Sequence, residues 1–201
     1  MTGMRFADLD EKAKQRARRW FVEQQDYPRD YWWDFTDLVE CAKCLGVEIA
    51  QEGLSHKIYF RGFSSQGDGL CFVGAYVHRR DMLSAIKEHT PQDTTLHNIA
   101  ERLIAMQVCA KLESGGEIQM TIDSSSRYMA ITVEVNLVCD GTIDDRHIAH
   151  EERIAVKAME DLASWMYRQI EGQYNYFFSN EYIDEQLDDQ LFDKTGSIIR
   201  V

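Results

Sequence analysis

Proline occurs only twice in the 201 residues, at Pro28 and Pro91, and there is no Ser/Gly tract. That argues against a disordered linker. No apolar run approaches the roughly eighteen residues that a membrane span needs, and no internal repeat is present. The opening MTGMRFADLDEKAK lacks the apolar segment of a signal peptide. The five cysteines are Cys41, Cys44, Cys71, Cys109 and Cys139. An odd count without a signal sequence suits reduced thiols, and a cytoplasmic location is expected. Positive charge is scarce as well, with 22 Lys+Arg against 34 Asp+Glu and a net charge of -12. Non-specific binding to duplex nucleic acid is disfavoured on that ground.

Catalytic motifs are missing too. No Gly-x-Ser-x-Gly elbow occurs. His147, His150 and Glu151 give HxxHE, which matches neither HExxH nor HxxEH and reads as the start of a helix. Cys41 and Cys44 form a CxxC inside a helical pattern, with no second Cys/His pair at zinc-ligand spacing, so two packed side chains are expected. Five cysteines and six histidines offer many pairs, but no spacing selects a nucleophile. No catalytic residue, metal site or cofactor is expected, and the chain reads as a binder and not an enzyme.

What the sequence does have is a central hairpin, Lys57 to Val77. Ile58 and Phe60 alternate with Tyr59, Arg61 and Phe63 on a first strand, and Leu70 to Val77 alternates on a second. Between them Ser64, Ser65, Gln66, Gly67, Asp68 and Gly69 supply hydroxyls, amides and two glycines that can take positive φ. The loop joins strand to strand, so it is neither a Walker A nor a GxGxxG fingerprint. It can hold a small polar ligand, with Arg61 near for a negative charge, or be a plain turn.

Around it, Asp8 and Glu11 resemble a capping box opening a helix to about Gln24. Five of the eight residues from Lys12 to Arg19 are basic, which is either a solvated face or a site for an anion or acidic segment. Asp30 can cap a second helix ended by Gly46. Its opening, Tyr31-Trp32-Trp33-Asp34-Phe35, cannot place all four aromatics on one face. These aromatics are core or a stacking wall for a planar ligand. Val47–Ala50 suggests a short strand, Arg79 to His89 a short helix, and a longer helix from Thr94 carries the stripe Leu96, Ile99, Leu103, Met106 and Ala110. A second hairpin alternates from Ile118 to Asp123 and from Met129 to Leu137, with its polar face open to solvent, an oligomer contact or a ligand. A long helix from about His147 ends the apolar pattern. Beyond it Glu181, Asp184, Glu185, Asp188, Asp189 and Asp193 form an acidic segment without a base. That segment is a solvated end, or a mimic of nucleic acid or a lure for a basic partner.

The run from Trp32, Trp33 and Asp34 through Tyr59, Phe60, Gly62, Phe63, Ser65, Gln66, Gly67, Asp68 and Gly69 resembles a family of small phage and prophage proteins. Genomes label its members hypothetical, or antitoxins of toxin–antitoxin systems. The resemblance spans roughly Asp30 to Tyr76. It departs at Arg61, where a smaller residue is expected, so a charge-specific role there is not a family trait. It brings no catalytic residues.

The expected fold is α+β: an antiparallel sheet of about four or five strands from two β-hairpins, packed on several helices with a long C-terminal one. One domain is the default at this length, with two small ones open. The leading expectation for function is a phage-type accessory protein that antagonises a host toxin or anti-phage defence system by binding a protein partner through Glu181, Asp184, Glu185, Asp188 and Asp189. The alternative is capture of a small anionic nucleotide signal near Arg61, Ser64–Asp68, Trp32 and Trp33. A nucleotide-processing enzyme is the contrasting reading. Apolar helix stripes in apparent excess of one core suggest a homodimer.

Overall fold

A computed structural model of the chain describes residues 3–24, 34–63, 68–109, 116–123, 130–137 and 145–199. In chain order, β1 (Met4–Arg5) leads through a 3-10 turn (Phe6–Asp8) to α1 (Glu11–Gln24), then α2 (Thr36–Cys44). The strands β2 (Val47–Ile49), β3 (Gln51–Glu52), β4 (Ser55–His56), β5 (Ile58–Arg61), β6 (Gly69–Phe72) and β7 (Gly74–Tyr76) follow. Next come α3 (Met82–His89), α4 (Thr94–Cys109), β8 (Gly116–Asp123) and β9 (Ala130–Leu137). The chain closes with α5 (Asp145–Phe177), α6 (Asn180–Leu187) and β10 (Leu191–Phe192). This is the α+β organisation expected, with its long helix toward the C-terminus. Among the described residues no helix is long and apolar enough to cross a membrane.

The chain divides into two compact units, Asp34–Gln169 and Met1–Trp33 with Ile170–Val201, the boundary falling within α5. The larger unit holds a four-stranded antiparallel sheet in the order β2-β7-β8-β9. The expected strand from Leu70 to Val77 breaks at Val73. There the Val73 amide donates to the Lys57 carbonyl (3.0 Å), while the Val73 carbonyl accepts from Ala50 (2.8 Å). Gly74 lies so close to the Glu48 carbonyl that a Cβ would clash. The chain therefore changes partners: β6 pairs β5 from Ile58↔Phe72 to Arg61↔Gly69, and β7 joins β2 and β8. The β5–β6 pair forms a sheet of its own, while β7, the rest of the expected second strand, shares one with the β8–β9 hairpin.

The apolar stripes are buried as their spacing requires: Leu96, Ile99, Leu103 and Met106 on α4, and Ala155, Met159, Leu162 and Met166 on α5. These positions are covered within one chain, while the aromatics Tyr174, Phe177, Phe178 and Tyr182 are half-buried. The α4–α5 pair is tied by Arg102 Nη2 to Asp161 Oδ2 (2.7 Å) and by Trp165 Nε1 to Asp93 Oδ2 (2.6 Å). Asp93 Oδ1 also caps α4 by accepting from Thr95 and Leu96. Buried Gln107 pins the segment before α3, accepting from the Arg79 amide (2.9 Å) and donating to the Arg79 carbonyl (3.0 Å). This is why α3 starts at Met82 and not Arg79. The Arg79 guanidinium holds Asp81 (2.6 Å) and the Lys43 carbonyl (2.9 Å), so the Asp81 carboxylate pairs instead of capping. Likewise α2 opens at Thr36, whose amide donates to Asp34 Oδ1 (2.9 Å); Asp30 lies outside the described residues. Gly46, at φ +73°, ends α2 against the Val77 carbonyl.

The smaller unit packs α1 on α6 around Phe6, Leu9, Ala13, Ala17, Ile183, Leu187 and Phe192. β1 pairs β10 with Met4 opposite Phe192. The cap of α1 is Asp10 and not Asp8, accepting from the Ala13 amide at 2.8 Å. Asp8 instead closes the preceding 3-10 turn. The expected continuous C-terminal helix breaks at Phe178, because Ser179 turns extended and caps α6 through the Tyr182 amide (3.2 Å).

Candidate functional site

Three places gather chemistry. The first is the base of the central hairpin loop. Arg61 ends β5, exposed and opposite Gly69. Gly62 sits at φ +56°, and a Cβ there would run into the Asp68 carboxylate. Asp68 thus lies against the Gly62 backbone and helps build the turn. Tyr167 of α5 donates to the Gly62 carbonyl (3.0 Å). Phe63 stacks between Phe60 and Tyr167, with ring centroids 5.7 Å apart in each pair, and Phe60 meets Phe35 edge-on at 6.4 Å. A half-buried aromatic row therefore backs the loop. Ser64, Ser65, Gln66, Gly67, Trp32 and Trp33 lie outside the described residues, so Arg61 and Asp68 are the placed members of that expected set.

The second place is the meeting of α2 with the end of α3. Burial, with Asp37 and further acidic neighbours adding to it, pushes the Cys41 thiol up to about 12. Burial does the same to Cys71, again to about 12, and raises Cys44. At neutral pH these three thiols are protonated and weakly nucleophilic. Cys41 still has company: its sulfur, the Asp37 carboxylate and the His89 ring offer ligand atoms all within 4.8 Å of one another. His89 Nε2 lies 2.8 Å from Asp37 Oδ1. Sequence spacing gave no sign of this trio, because His89 arrives from another helix. Elsewhere, His147 stands 3.8 Å from Glu151, whose carboxylate is buried and whose Oε2 has no hydrogen-bond partner among the described residues.

The third place is the charged surface of the smaller unit. Arg18 grips Asp184 with two bonds, Nε to Oδ1 (2.6 Å) and Nη2 to Oδ2 (2.7 Å), and also reaches Glu11 at 3.1 Å. The acidic segment and the basic helix thus meet through one of each. Glu181, Glu185, Asp188 and Asp189 remain exposed. Their spacing sets them along one side of α6 and its end, while Ile183 and Leu187 bury the other. On α1, Lys12, Arg16 and Arg19 join Lys194 around a groove of about 560 Å³. A neighbouring concavity of about 460 Å³ shares Arg16 and Arg19 and adds Trp20. Lys194 is placed by the turn after β10. There Asp193 accepts from the Thr195 hydroxyl (2.7 Å) and from the Thr195 and Ser197 amides, bonds that hold its carboxyl below the usual range. Gly196, at φ +82°, seats this turn on the Ala13 carbonyl.

No curated protein and no solved structure matches the chain. A family model does, over residues 32–180, which takes in the central hairpin and the α2–α3 trio. The chain belongs to the family described as Domain of unknown function (DUF8835).

Proposed function

We propose that this protein acts by binding, as a phage-type accessory factor that antagonises a host toxin or anti-phage defence system through a protein partner. The observation that supports this most is the exposed side of α6. Glu181, Glu185, Asp188 and Asp189 stand together on a helix whose other side is anchored in a core and whose Asp184 is fixed by Arg18. Such a surface is held in place before any partner arrives, which lowers the ordering cost of binding. Asp188 and Asp189 also sit at the helix C-terminus, where negative charge opposes the macrodipole. Acids kept against local stability are what a site for a basic partner requires. Fields of this sign steer a basic surface and speed its encounter.

The test is phage plating on host cells carrying a panel of defence and toxin systems. Expression of the chain is expected to restore plating against at least one. A variant with Glu181→Gln, Glu185→Gln, Asp188→Asn and Asp189→Asn is expected to lose the effect. Full activity in that variant would remove α6 as the partner surface.

A second reading has its own observation. Lys12, Arg16, Arg19 and Lys194 line one groove with Trp20 beside it, in a chain of net charge -12. No described residue forms an ion pair with these four cations. Phosphates and a stacked base suit that arrangement, and capture of an anionic nucleotide signal is the function it would serve. A thermal-shift screen against linear and cyclic nucleotides tests it. Arg16→Glu with Arg19→Glu should abolish any shift. A shift removed by Arg61→Ala instead would return the site to the hairpin loop.

A further inference from the structure

The α2–α3 trio is neither part of the charged surfaces nor explained by packing. Asp37 and Cys41 lie one helical turn apart on α2, so both point to the same side. His89, the last residue of α3, meets them there. A hydrogen bond between His89 and Asp37 alone would need no thiol. Yet the Cys41 sulfur, fully buried at 0% exposure, closes the group from beneath, while the Asp37 side chain is 73% exposed. One nitrogen, one sulfur and one oxygen thus converge with solvent on the open side.

The geometry points to a zinc site formed by Asp37, Cys41 and His89, with a water or an external ligand in the fourth position. Tetrahedral coordination at ordinary zinc–ligand lengths sets the donors about 3.3 to 3.5 Å apart. Asp37 and His89 must therefore open from 2.8 Å by roughly half an ångström. The sulfur, no more than 4.8 Å from either partner, must close by at most about 1.3 Å. Both are side-chain adjustments on helices that already hold the three residues together. The surroundings suit a cation, since Asp93 and Glu40 lie near enough to act on Cys41 in addition to Asp37. Metal of this kind replaces the thiol proton, so one proton leaves Cys41 as zinc binds. Mixed sulfur, nitrogen and oxygen donors favour zinc over magnesium or calcium.

The experiment is titration of the chelator-treated full chain with zinc against a chromophoric chelator, followed by cobalt substitution. One zinc per chain is expected. The cobalt form should show a thiolate-to-metal charge-transfer band with the visible absorption of a four-coordinate centre. His89→Gln, at a partly exposed position that leaves the core untouched, should weaken zinc binding at least about tenfold. Cys41→Ser should remove the charge-transfer band. Three results would overturn the site: no stoichiometric zinc uptake by the wild type, a cobalt complex without the thiolate band, or zinc affinity unchanged in His89→Gln. The outcome is independent of the charged surfaces, because none of their residues enters it.

Discussion

The two compact units treat polar groups in opposite ways. In the larger one Gln107, Asp93 and Arg79, beside the core, are consumed by structure. Gln107 is bonded at both ends of its amide, Asp93 serves two amides and an indole, and Arg79 ties Asp81 to the end of α2. In the smaller one the bidentate pair Arg18 with Asp184 joins α1 to α6, while four acids and four cations have no ion-pair partner among the described residues. Charges used internally report on stability, and charges left over report on what the surface can meet. The candidate binding faces therefore lie in the unit with the smaller core.

The sharpest way to break that contrast is through the cores. Phe192→Ala in the smaller unit is expected to cost about 3–5 kcal/mol, since its ring is fully buried against Phe6. Amide exchange on α1 and α6 should accelerate strongly, and a loss below about 1 kcal/mol would show that this core is not what fixes the charged faces. Next in size is Gly62→Ala, which combines a left-handed backbone with a clash on Asp68. About 1–3 kcal/mol is expected, and adding Asp68→Ala should recover part of it. No recovery would detach Asp68 from the turn.

A third test uses pH. Burial raises the Asp161 pKa, but the hydrogen bonds from Lys157 and Arg102 outweigh it and hold the carboxyl below its usual value. A carboxyl with a depressed folded pKa contributes stability above its unfolded pKa and loses it as pH falls through the folded one. Stability from this group should fade below about pH 4, and Arg102→Met should flatten that acid slope. An unchanged slope would mean that the pair is screened by solvent. The smallest effect concerns α6 itself. Asp188→Asn with Asp189→Asn removes negative charge from a helix C-terminus and should raise stability by about 0.3–1 kcal/mol. A loss would indicate that these acids are structural.

Legibility in the sequence followed the range of the forces involved. The α4 stripe could be read because each of Leu96, Ile99, Leu103 and Met106 falls on one helical face, and all four are buried. The ends of β8 and β9, at Asp123 and Leu137, were visible in their period-two pattern, while their starts fall at Gly116 and Ala130 and not at Ile118 and Met129. Gly46 marked the end of α2 because only a left-handed residue fits there. What sequence could not show were choices settled by distant partners. The break at Val73 depends on Ala50 and Lys57, and the start of α3 depends on Gln107 and Lys43. The same holds for sites. Arg61 and Asp68 were singled out locally, and the structure uses Asp68 against Gly62. The Asp37–Cys41–His89 trio and the groove completed by Lys194 needed tertiary packing to exist.

One measurement tests the central claim most directly: phage plating and thermal midpoint recorded together for the four-acid variant of α6, Glu181→Gln, Glu185→Gln, Asp188→Asn and Asp189→Asn. A binding surface kept at some expense to stability should give an unchanged or higher midpoint with plating restored no better than by empty vector. Plating restored to the wild-type level at an unchanged midpoint would contradict the claim and shift attention to the basic groove of α1.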